Sequence, residues 1–148
     1  MNGCVSRLVS IVLVTASSLV ASDSALAKVR AYSASGSAHF VSDSDFVGIG
    51  RATHLGLYDE VGTASFFPTS DPTVLDVVAS ATYSAANGDQ LHAVITGQLD
   101  LLTGVITATV SYVGGTGRFA DASGSAVFAG QMLVDGTITV TVHGTIDY

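Results

Sequence analysis

The chain has 148 residues, 48% of them hydrophobic and 11% charged, with 12 acidic against 5 basic side chains and a formal net charge of -7. That length suits one domain, and that hydrophobicity excludes a disordered chain. The scarcity of Lys and Arg argues against nucleic acid, and a single Cys excludes a disulfide framework or a zinc site built on several thiolates.

Residues 1–27 read as a secretory signal peptide. Arg7 is the positive start, Leu8 to Val20 is mostly apolar, and Ala25-Leu26-Ala27 is an A-x-A site that predicts cleavage after Ala27. The apolar run is about 13 residues, short of the roughly 20 that a membrane span needs. The expected product is secreted or periplasmic, with no membrane span. Arg7 and Asp23 cancel, so processing leaves the charge at -7, and it removes Cys4, the sole thiol. Residues 28–148 are then one domain large enough for one core.

Lys28–Phe40 fits one long strand, with Tyr32, Ala34, Ala38 and Phe40 on one side. Ser42-Asp43-Ser44-Asp45 is a polar turn. Phe46–Tyr58 and Val61–Phe67 read as the next two strands, split near Asp59-Glu60, which places Glu60 in a turn. Pro68 to Pro72 is a loop, because proline interrupts a ladder. Thr73–Ala85 places Leu75, Val77, Ala79, Ala81 and Tyr83 inside, and Gln90–Leu99 places Leu91, Ala93, Ile95 and Leu99 inside. Gly104–Val113 buries Ile106, Ala108, Val110 and Tyr112. Ser125–Leu133 is less regular, with Ala126, Phe128 and Met132 as its inner set. Thr137–Asp147 alternates Ile138, Val140, Val142, Gly144 and Ile146 against threonines. Asn87-Gly88 and Asp135-Gly136 are hairpin turns, so neighbouring strands run antiparallel. The expected fold is all-β: an eight-stranded antiparallel closed barrel, with a two-sheet β-sandwich as the alternative. One helical turn is expected, within Phe119–Ser123.

Gly114-Gly115-Thr116-Gly117-Arg118-Phe119 is the most distinctive segment. It lacks the G-K-[ST] of a P-loop and the helix that a dinucleotide fingerprint needs. Its glycines permit a sharp structural turn, with Phe119 plugging a barrel end; the alternative is an anion nest beside Arg118. With Ala120-Asp121-Ala122-Ser123-Gly124 it resembles the G-G-[ST]-G-x-F-x-x-[AVY]-x-G pattern of the allene oxide cyclase and dirigent barrel superfamily. Gly50-Arg51-Ala52-Thr53-His54-Leu55-Gly56 is similar to a strand of that superfamily's uncharacterised secreted bacterial members. The resemblance covers most of residues 48–148 and implies an eight-stranded barrel, often trimeric. It implies an apolar barrel that, in plant cyclases, holds a fatty-acid epoxide with a buried acid and a bound water. Dirigent relatives place acids and an arginine around a similar pocket. No residue of this chain is matched to those groups.

The polar residues form no catalytic set. Asp76 and Asp147 fall on outer faces, and no G-x-S-x-G elbow occurs. His92 and His143 lie on polar strand faces, and His39 ends a strand. His54 shares its parity with Tyr58 among small residues, so the two are expected on one face at a pocket mouth. No histidine pair has metal-ligand spacing, so neither metal nor cofactor is expected. Inner aromatics either fill the core or line a cavity; His54, Tyr58, Tyr83, Tyr112 and Phe128 are the candidate ligand contacts. The expected function is binding of a small apolar ligand in a secreted, non-catalytic barrel, or a structural envelope role. The alternative is a cyclase or isomerase that shapes an apolar substrate.

Overall fold

The computed structural model describes residues 28–148, so the signal-peptide reading of residues 1–27 lies outside the described residues. Eight strands follow in chain order: β1 Arg30–Phe40, β2 Asp45–Ala52, β3 Gly56–Pro68, β4 Val74–Ala85, β5 Gln90–Asp100, β6 Val105–Gly115, β7 Ser123–Met132 and β8 Ile138–Asp147. Each pairs antiparallel with the next, and β8 pairs with β1 from Arg30↔Ile146 to Ala38↔Ile138. The sheet is therefore a closed barrel, and the two-sheet alternative is set aside. No helix among the described residues is long and apolar enough to cross a membrane.

Alternation places the core. Side chains of one parity point into the barrel, and the buried set Leu91, Ala93, Ile95, Val110, Tyr112, Val142 and Ile146 follows it on β5, β6 and β8. Leu75, expected inside, is only half-buried because it sits where β4 begins. Asn87-Gly88 and Asp135-Gly136 turn as expected, with φ of 89° at Gly88 and 84° at Gly136.

The β2–β3 boundary corrects the sequence reading. The turn is at Thr53-His54-Leu55, not Asp59-Glu60, and β3 runs unbroken through Glu60 to Pro68. The reason lies in side-chain volume. Phe46 faces Gly62 across the pair, Gly48 faces Glu60, and Gly50 faces Tyr58. Each large inward group lies over a glycine, so a Cβ added at Gly48 would sit 2.8 Å from Glu60 Oε2. The glycines that resemble a loop in sequence are cross-strand space for large neighbours.

The glycine-rich segment closes one end. A single 3-10 turn spans Gly117–Phe119, slightly before the expected position. Gln90 N–H donates to Thr116 Oγ1 at 3.0 Å, and Thr116 N–H donates to the Gln90 carbonyl at 2.8 Å. These bonds tie the connection to β5 and direct Phe119 into the barrel, where it is 0% exposed and meets the tilted Tyr148 ring at 4.8 Å between centroids. Arg118 stays outside, 3.5 Å from Asp89 and over the Phe119 ring. Phe119→Ala is expected to cost about 3–5 kcal/mol of stability. Urea unfolding checks this, and a loss under 1 kcal/mol, on the order of a surface substitution, would deny Phe119 its role as a plug.

Candidate functional site

The interior divides into three layers. At the closed end, Leu55, Leu91, Phe119, Ala122 and Ile146 pack tightly. Midway, Tyr32, Tyr58, Tyr83 and Tyr112 meet around a void of about 10 Å³. Tyr32 and Tyr112 are 5.0 Å apart, and Tyr58 meets Tyr83 edge-on at 5.3 Å. At the other end a cavity of about 70 Å³ opens among Phe40, Phe46, Phe66, Phe128, Met132 and Val140, with Ala38, Ala64, Ala79 and Ala108 as small wall residues. The alanines leave the room, and half-buried Phe40, Phe66, Phe128 and Met132 form its mouth.

Glu60 belongs to both layers. It is the single acid lining the cavity and the only acid at the tyrosine void. It is 9% exposed, the one charged-type side chain in the buried set. Burial pushes its carboxyl up to about 7, opposed in part by the Tyr83 hydroxyl that donates to it. No Lys or Arg offsets the burial. The phenols respond in turn: burial and the adjacent Glu60 push Tyr58 up to about 12, and burial raises Tyr32, Tyr83 and Tyr112 as well. The Tyr112 hydroxyl is buried beside the Tyr32 phenol and makes no hydrogen bond of good geometry. An unmade buried hydrogen bond costs on the order of 1–3 kcal/mol, and a void of this size is at the lower limit for one water.

The expected ligand contacts separate in space. Phe128 lines the open cavity, while Tyr58, Tyr83 and Tyr112 ring the inner void. His54 does not share a face with Tyr58. It lies in the β2–β3 turn at the closed end, bonded through Nε2 to the Ala31 carbonyl at 2.8 Å and beside Tyr32 and Tyr148. Its parity argument failed because the strand ends at Ala52. Gly114, Gly115, Gly117, Arg118 and Phe119 form the closed-end connection, remote from the cavity. Asp147 does not simply face outward: its Oδ1 is enclosed and unpartnered. Glu60 was missed because the strand boundary was misplaced. Extending the alternation of Ala64 and Phe66 backwards through Gly62 would have put it inside.

Among the described residues, no three His, Asp or Glu side chains converge as metal ligands would. No protein-family model, curated protein or solved structure matches the chain.

The raised carboxyl links to stability. The folded chain keeps the Glu60 proton to about pH 7, while the unfolded chain releases it near 4.5. Unfolding in that window frees a proton, so stability falls as pH rises through it, by about 3 kcal/mol in all. Glu60→Gln is expected to remove this slope and to be the more stable protein above pH 7. Thermal unfolding from pH 4 to pH 8 measures it; parallel curves for the two proteins would refute the assignment.

Proposed function

We propose that the barrel binds a small apolar ligand through its open end, without chemical change. The observation that carries this reading is the aromatic-walled cavity of about 70 Å³, open at the mouth and closed at its floor by Glu60. Burying apolar ligand surface there is favourable at about 25 cal/mol per Å². A lone carboxyl at the floor gives orientation, as a few placed polar groups do in ligand sites. The barrel and the glycine-rich β6–β7 connection support kinship with the allene oxide cyclase and dirigent superfamily. Secretion rests on the pattern of residues 1–27. Assembly into a homo-oligomer, trimeric as in those relatives, is supported by exposed Ile49, Leu57, Val61 and Val78 on the outer faces of β2–β4.

A second reading, a cyclase or isomerase, is favoured by one observation. Glu60 is buried, borders an apolar cavity and holds a proton near neutral pH, as a general acid does. It fills the place for which His54 and Tyr58 were the sequence candidates. Neither reading uses a cofactor.

A neutral probe tests binding directly. Titrating 1-hexanol, whose slender chain can extend through the open mouth, is expected to shift the NMR signals of Ala38, Ala108 and Phe128 saturably. Ala108→Leu, which fills the cavity, is expected to weaken binding about tenfold or more, on the order of 1.4 kcal/mol, while the far-ultraviolet spectrum stays that of the parent. Shifts confined to the outer strand faces would contradict an internal site.

A further inference from the structure

We infer that the ligand is a slender apolar amine, bound as its ammonium with the charged head toward Glu60 and the chain toward the mouth. This rests on the apolar-ligand reading of the cavity and adds the chemical class of its occupant.

The first support is the cavity itself. Its one ionisable side chain is a carboxyl, and its walls carry Phe40, Phe46, Phe66 and Phe128. A buried carboxylate pairs with a cation, and the phenylalanine walls toward the mouth pack an apolar chain. A carboxylate ligand meets the opposite: like charge against Glu60 and no donor from Lys or Arg. The groups around Glu60 are Tyr58 on its own strand, Tyr83 on β4, Tyr32 on β1 and Tyr112 on β6, all neutral phenols. Beside it, β2 contributes Gly48, which carries no charge.

The second support is the distribution of charge along the barrel. Of the ten described aspartates, Asp43, Asp45, Asp71, Asp76, Asp100 and Asp135 lie at or near the open end, while Asp89, Asp121 and Asp147 lie at the closed end. Lys28, Arg30, Arg51 and Arg118 all lie at the closed end, with Arg30 over the Tyr148 ring at 4.2 Å. Among the described residues His39 is the single basic side chain near the mouth, and it is exposed. Asp71 and Asp135 are held below the usual carboxylate range by the Thr73 and Thr137 groups that donate to them. Asp100 Oδ1 accepts from Leu102 N–H at 2.8 Å and Thr103 N–H at 3.0 Å. A mouth of one sign concentrates cations and repels anions. The rim also exposes Leu101, Leu102, Leu133 and Val134, which suit the chain of an amphiphile.

Hexylamine, 1-hexanol and hexanoate test this as a matched series, by calorimetry or NMR titration at pH 8. Hexylamine is expected to bind about tenfold or more tighter than hexanoate, with hexanol between them. Glu60→Gln is expected to bring the amine to within about threefold of the alcohol, on the order of what the screened rim alone supplies. Should that variant not fold, the wild type still reports: the preference for amine over alcohol is expected to shrink below pH 6, as Glu60 gains its proton. Hexanoate binding as tightly as hexylamine, or a preference for the amine that neither pH nor Glu60→Gln alters, overturns the inference and leaves the apolar-ligand reading standing. Saturable binding of none of the three overturns that reading as well.

Discussion

Closure of β8 onto β1 is the constraint on which the rest depends. It removes the sheet edges, and it makes every inward side chain share one limited volume. Large groups must then face small ones, which is why Phe46, Glu60 and Tyr58 lie over Gly62, Gly48 and Gly50. The closed end solves the volume problem with Phe119, Leu91 and Ile146. The open end leaves it unsolved, because alanines at positions 38, 64, 79 and 108 are too small to fill the space between the phenylalanines.

Glu60 stands where these two solutions meet. An ionised carboxylate there would face apolar walls with no cation, a cost of several kcal/mol in such surroundings. The protein meets this with one phenolic donor, Tyr83, and by keeping the proton. That arrangement is a weak way to stabilise a fold. It is a direct way to keep a polar group ready for something that enters from the mouth. The Tyr32 and Tyr112 hydroxyls one layer deeper extend the same polar interior.

The strands of the second half were legible because apolar and polar side chains alternate along them from Thr73 onward, least regularly in Ser125–Leu133, and because Asn-Gly and Asp-Gly have few other uses. The first half was legible only in β1. Glycines every second residue around position 50 carry no hydrophobic signal, so nothing marked where β2 ends. The adjacent Asp59-Glu60 resembled turn chemistry and masked an inward acid. His54 lies past the same unmarked strand end, in the turn. Side-chain period assigns faces only within a correctly bounded strand, and a turn residue inherits no face from its neighbours. Phe128 was assigned to the cavity wall by alternation alone. The separation of Tyr58, Tyr83 and Tyr112 from the mouth depended on their depth along the barrel, which period cannot give.

Charge along the barrel axis was invisible in the net value of -7. It emerges from topology: six of the ten described aspartates lie at the open end, where no Lys or Arg lies, while the closed end sets Asp89, Asp121 and Asp147 against Lys28, Arg30, Arg51 and Arg118. Glu60 is the only glutamate in the sequence, so a chain labelled with carboxyl-¹³C glutamate yields one signal. Its titration tests the buried acid most directly. A midpoint near 7 is the result expected of a neutral carboxyl at the cavity floor; a midpoint near 4.5, that of a solvated glutamate, would contradict it.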